Sequence, residues 1–201
     1  MVRPRQFSDR ELLETARALF LEHGPGLSTT VIADAAGVSQ ATLFKRFGTK
    51  KALMIRALMP DSEGPQWQAL VRMPDDRPLF EQLLEKGLIM TAFFQELLPC
   101  VAMLRASGAD IMGELHASGQ VPPPVRALDC MQAFFDRAIA EGRMRPVSSE
   151  MLALTWLGAL RNRAFFQHMM PDRPLEGDDH SYVHSLTETI WQGIHPVEES
   201  S

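Results

Sequence analysis

Cysteine is nearly absent: Cys100 and Cys130 are the only two in 201 residues. That is too few for the disulfide framework of a secreted scaffold and fits a reducing cytosol. Lysine is scarce too, four in all, and three of them fall between Lys45 and Lys51. Long apolar runs are lacking. The most apolar segment, residues 151–160, is ten residues long and ends at Arg161, against about 20 needed to span a bilayer. The N-terminus meets Ser8-Asp9-Arg10-Glu11 before any apolar stretch, so no signal peptide is expected. There is no sustained period-2 alternation and no Asn-Gly turn, so helices are expected throughout. A phosphate-binding glycine loop, Gly-x-Ser-x-Gly, His-Glu-x-x-His and Cys-x-x-Cys are all missing, which leaves enzyme activity without positive support. What remains, 45% hydrophobic and 22% charged residues, suits one compact domain or two small ones in a cytoplasmic protein.

The charge is placed unevenly. The whole chain carries a net −5, yet residues 1–51 hold eight basic residues against five acidic ones, a net +3, leaving −8 on the rest. A basic module on an acidic body suits a protein that meets a polyanion at one end.

About nine helices are expected. Ser8 and Glu11 form a capping-box signature before the stripe Leu12, Ala16, Leu19 and Phe20, and Gly24-Pro25-Gly26 ends that helix. Ser28 or Thr29 caps a second helix to Ala36, Ser39 a third over 40–47, and a fourth runs over 50–59. Residues 60–78, rich in Pro, Asp and Gly, read as a partly looped connection. Helices are then expected over 79–95, 96–106, 125–141, 149–169 and 179–194, with a loop over 108–124.

One stretch carries function. Residues 32–47 have the make-up of a helix-turn-helix, which needs a small residue at the crossing, here Ala33, and a glycine in the turn, here Gly37. Ile32, Ala36, Val38, Leu43 and Phe47 fall on the inner faces, leaving Gln40, Ala41, Thr42, Phe44, Lys45 and Arg46 outward. Gln can pair with an adenine edge, Lys or Arg with guanine, and Ala, Thr or Phe can touch a thymine methyl. A packing hairpin is the alternative.

This pattern resembles the N-terminal domain of the TetR family of bacterial transcription regulators. The family's motif, Ile-Ala-x-x-Ala-Gly-Val-Ser, Thr-Leu-Tyr-x-x-Phe and Lys-x-x-Leu, appears as Ile32-Ala33, Ala36-Gly37-Val38-Ser39, Thr42-Leu43-Phe44, Phe47 and Lys50-Lys51-Ala52-Leu53. The similarity covers residues 8–55. It implies phosphate contacts from Ser28, Thr29 and Thr30, and groove contacts from Gln40, Ala41, Phe44 and Lys45. Thr42, Arg46 and Lys50 would lie nearer the DNA backbone. Phe44 stands where tyrosine is usual, and Lys51 where an acidic residue is common.

The resemblance also implies an apolar ligand pocket between the helices of the larger part. Met90, Phe93, Phe94 and Met103 are candidates to line it, with Met112, Met131, Phe134 and Phe135; ordinary core is the alternative for each. Trp156 and Leu160, with Val183, Leu186 and Ile190, suggest a second apolar face, the family's four-helix dimer interface or else intramolecular packing. Arg161 and Arg163 suggest an interface salt bridge or an anionic ligand. His180 and His184 have metal-ligand spacing beside Asp178 and Asp179, but a solvated helix end is favoured and no metal or cofactor is expected. Cys100 and Cys130 could pair as a redox sensor or sit as inert buried thiols. Arg3 and Arg5 could form a minor-groove arm or a frayed terminus.

The expected protein is all-α, with a helix-turn-helix DNA-binding domain over 1–50 and a ligand-binding and dimerisation domain over 51–201. It would be a homodimer on a palindromic operator, released by a small apolar or aromatic molecule that displaces the fourth helix. Two other classes compete: a helical small-molecule-binding protein without specific DNA binding, and a helical enzyme drawing on Glu96, Asp110, Asp136 or His116.

Overall fold

The computed structural model describes residues 8–60, 64–117, 119 and 121–195, so Arg3 and Arg5 lie outside the described residues. Among these there are ten helices and no strand: α1 (Asp9–His23), α2 (Thr29–Ala35), α3 (Gln40–Phe47), α4 (Lys50–Leu58), α5 (Pro65–Val71), α6 (Leu79–Ala106), α7 (Ile111–Ala117), α8 (Pro123–Ala140), α9 (Ser149–Met169) and α10 (Asp179–Ile194). Side-chain caps set the starts. Ser8 and Glu11 close a reciprocal capping box at α1, and Ser28, Ser39, Thr49, Ser148 and Asp178 cap α2, α3, α4, α9 and α10.

Three expectations are corrected. The partly looped connection expected over 60–78 contains a regular helix, α5, with proline in its first turn, where the missing N–H costs nothing, and with Trp67 and Leu70 buried. The helices expected over 79–95 and 96–106 are one, α6. Pro99 lies inside it and removes one backbone donor, but the helix continues until Gly108, at φ 65°, turns the chain out of it. The loop expected over 108–124 contains α7. By length and composition α6 would also pass for a membrane span, which the sequence expectation had denied to every segment. Its buried Leu83, Met90, Phe93 and Leu104 make it a core helix.

The chain divides into two compact units. One comprises Met1–Pro60 and Pro99–Gln120. Its core gathers Leu12, Ala16 and Phe20 from α1, Ile32 from α2, Leu43 and Phe47 from α3, and Leu53 and Leu58 from α4, with Cys100 and Leu104 from the end of α6. Arg17 donates to the Leu58 carbonyl at 2.9 Å, closing the C-terminus of α4. Packing thus groups α4 and residues 99–120 with the helix-turn-helix, rather than dividing the chain at residue 50.

The other unit comprises Asp61–Leu98 and Val121–Ser201. Here α8 packs along α9, α5 against α8 and α10 against α9. Gly87 on α6 allows close approach: a Cβ there would overlap Val183 Cγ1 and stand 3.3 Å from the Trp156 ring. Two buried cations are fully committed. Lys86 Nζ donates to the carbonyls of Ala69, Leu70 and Arg72 at 2.8–3.0 Å, finishing α5. Arg163 donates from Nε to Asp179 at 2.7 Å and from Nη2 to the Gly177 carbonyl at 2.8 Å, under the Tyr182 ring.

Candidate nucleic-acid interface

The turn between α2 and α3 is a Schellman motif. Gly37 sits at φ 65°, its N–H reaches the Asp34 carbonyl at 3.1 Å, and the Val38 N–H reaches the Ala33 carbonyl at 3.0 Å. A left-handed residue is needed there, which is why glycine occupies it. The motif redirects the chain so that Ile32, Ala33, Ala36, Leu43 and Phe47 are buried and Val38 is half-buried, as the inner-face reading expected.

The outer face of α3 presents Gln40, Ala41, Phe44 and Lys45 to solvent, with Thr42 and Arg46 half-buried beside them. Phe44 is 41% exposed on this face. Lys50 is half-buried at the first turn of α4, behind the Thr49 cap. Helix N-termini carry unspent N–H groups and a partial positive charge, so α4 adds to the basic end of α3 in favouring phosphate.

Several of these side chains have partners that spacing could not reveal. Gln40 Nε2 donates to Thr29 Oγ1 at 2.7 Å across the turn. Arg46 pairs with Asp9 at 3.1 Å, and Lys51 donates to the Gly108 carbonyl at 3.0 Å. Thr42 shares a hydrogen bond with Ser39 at 2.8 Å. The phosphate trio is split: Ser28 caps α2 and Thr30 is exposed, but Thr29 is only 6% exposed and its oxygen is engaged by Gln40. The Thr29 side chain thus makes an internal contact, to Gln40.

The expected ligand residues do not form one group. Met90, Phe93, Phe94, Met131, Phe134 and Phe135 are buried in the second unit. Met103 packs against the core of the first unit, and Met112, in that unit too, is 49% exposed. Within the second unit a different cavity of about 520 Å³ opens between Gln95, the end of α9 and the loop Met170–Gly177, with Arg163, Gln167 and Leu175 in its wall. Of the expected dimer residues, Trp156, Leu160 and Val183 are fully buried within the chain and Leu186 and Ile190 half-buried, so intramolecular packing accounts for the first three. Arg163 likewise spends its charge inside the chain.

The histidines hold no metal-type cluster among the described residues: Asp178 caps α10, Asp179 binds Arg163, and His184 stands edge-on to Phe80. Neither cysteine is in a disulfide; Cys100 is buried and Cys130 half-buried, with burial raising the Cys130 pKa.

Residues 12–57 match the family model described as bacterial regulatory proteins, tetR family. No curated protein matches the sequence. Among solved structures, a Mesorhizobium loti protein assigned to the TetR family of transcriptional regulators is 19% identical, at a TM-score of 0.71 over 93% of this chain and 96% of that one. A TetR-family regulator from Pseudomonas syringae pv. tomato is 21% identical, at 0.65 over 94% and 99%. The SmeT–triclosan complex is 18% identical, at 0.66 over 95% and 92%. At those identities the structures establish the fold: residues 12–57 are similar to the N-terminal module of the TetR family, and the chain has the all-helical fold of TetR-family structures.

Proposed function

We propose that the chain is a ligand-responsive transcriptional repressor that binds an inverted-repeat operator as a homodimer. The observation that carries this reading is the exposed face of α3, where Gln40, Ala41, Phe44 and Lys45 stand outward over a fully packed helix-turn-helix. Such a face can read base edges in a major groove while Ser28, Thr30, Thr42, Arg46 and Lys50 hold the DNA backbone. Two copies would place their α3 helices one helical turn apart, about 34–36 Å.

Support for the dimer comes from α9, which is apolar on two sides. Ala153, Trp156, Leu160 and Ala164 face inward, while Met151, Leu154, Phe165 and Met169 are exposed in a single chain. Gly158 lies in that outward stripe with open space beyond it, so a partner helix can approach closely. A stripe of this kind marks an interaction surface.

The ligand would be a small, largely apolar or aromatic molecule, held among the buried phenylalanines and methionines of the second unit. Triclosan in the SmeT complex is a molecule of that class. The sequence expected the fourth helix to be displaced. Support for this reading comes from Cys100 and Leu104 at the end of α6, which belong to the core that seats α4. Coupling is reciprocal, so operator DNA would weaken ligand binding by the same factor.

The experiment is the salt dependence of duplex affinity. Each phosphate neutralised by Lys or Arg contributes about −0.9 to the slope of log affinity against log salt. Lys45→Ala and Lys50→Ala are each expected to weaken binding. For Lys50 the slope should also become shallower by about 0.9. Weaker binding by Lys50→Ala at an unchanged slope contradicts its phosphate role, and an absence of salt-sensitive binding by the wild type leaves small-molecule binding as the primary function.

A further inference from the structure

Gln40 opens the recognition helix, directly after the Ser39 cap, and its side chain lies back across the turn onto Thr29, the first residue of α2. The bond from Nε2 to Thr29 Oγ1 is 2.7 Å, and its acceptor is buried while Gln40 itself is exposed. One end of this link is thus fixed in the packed interior of the motif, and the other stands where the groove would be.

We propose that Thr29 is a positioning residue that sets the base preference of Gln40, making it a reader of adenine and an excluder of guanine. The proposal rests on the DNA-binding reading above. A glutamine amide has two N–H hydrogens and one carbonyl oxygen. Unrestrained, it rotates freely about its last bond and can offer two donors, or a donor and an acceptor, to whatever edge it meets. With one hydrogen given to Thr29, a single N–H and the oxygen remain. That pair matches adenine, which presents the N7 acceptor beside the N6 donor. Guanine presents two acceptors, N7 and O6, so the restrained amide would bring its oxygen against O6. Thymine and cytosine each offer one complementary group in the major groove, so they can form only one of the two bonds. Anchoring also removes side-chain rotamer freedom before the DNA arrives, which a free glutamine would lose on binding.

The test uses the full-length protein on a duplex enriched by the wild type from a random library. Affinity is then measured with each of the four bases at every half-site position. Wild type is expected to prefer adenine at one position of each half-site on the order of tenfold over guanine. Gln40→Ala should flatten the preference at that position alone. Thr29→Val, which keeps the shape and removes the hydroxyl, should reduce it to about twofold at the same position and leave the others unchanged; Thr29→Ser should restore it. Thr29→Ser and Thr29→Ala differ by a single hydroxyl and repeat the comparison should valine fail to fold, which thermal melting reveals. An adenine preference that survives Thr29→Val or Thr29→Ala in folded protein overturns the proposal, as does an even loss of affinity at all positions. Should Gln40→Ala change no position, the proposal falls while the DNA-binding reading stands. Should the wild type enrich no duplex, both fall.

Discussion

Lys86 is the residue whose energetics are least like those of its type. Its ammonium is buried, bonds three carbonyls that would otherwise end α5 unpaired, and lies 4.8 Å from the Phe134 ring centre. Burial is the main cause that lowers its pKa from 10.5 to about 8. Below about pH 8 both folded and unfolded chains hold the proton, and the folded state bears the full desolvation cost. Between about 8 and 10.5 the unfolded chain binds more protons than the folded one, so this group's contribution to stability rises with pH. Urea unfolding of wild type and Lys86→Met from pH 7 to 10.5 checks this. The wild type should gain stability relative to the variant across that window, and parallel curves would refute the assignment. Arg163 shows the other solution for a buried cation, a carboxylate within 2.7 Å.

Among the elements, the close approach of α6 to α9 and α10 depends on Gly87. Val183 is fully buried and β-branched, so it can neither leave nor turn to admit a methyl group at residue 87. Gly87→Ala is expected to cost about 1–3 kcal/mol by overpacking. Combining it with Val183→Ala, which opens space at the clash, should cost less than the two single changes together. Chemical denaturation of the three variants measures the coupling, and additive losses would place the strain elsewhere.

Elements were legible in the sequence to different degrees, for local reasons. α1, α3, α9 and α10 each carry a polar cap ahead of an apolar periodicity, and both signals lie within a few residues. α5 and α7 are seven residues each and sit among Pro, Asp and Gly, so composition hid them until Trp67, Leu70 and Leu115 were seen to be buried. The unbroken α6 could not be read because its interior is apolar on every side and offers no face to count from. The outward face of α3 was legible because the turn glycine fixes its phase. The bonds that bind it were not, since Thr29 to Gln40 and Asp9 to Arg46 join residues 11 and 37 positions apart. Trp156 and Leu160 on α9 and Val183 on α10 looked like interface residues because each lies on an apolar helix face, and a sequence does not say which face its own chain covers.

For the whole molecule, association and DNA recognition are one question, because one copy presents one recognition helix. The outward stripe of α9 makes the prediction specific. Leu154→Glu, at a position 47% exposed, should shift the protein from dimer to monomer in sedimentation while leaving its helical content and melting cooperative. The monomer should keep weak, salt-sensitive binding to any duplex and lose the preference for a paired site, since non-specific binding needs only backbone phosphates. A Leu154→Glu protein that remains dimeric would move the interface away from this stripe.

The most direct test of the central claim is selection of bound duplexes from a random library by the purified wild-type protein at about 0.15 M salt, an ionic strength at which surface charges are screened beyond about 8 Å. The account predicts enrichment of an inverted repeat whose half-site centres lie one helical turn apart, about 34–36 Å. No enrichment by folded, dimeric protein, or enrichment of a single unrepeated site, would contradict it.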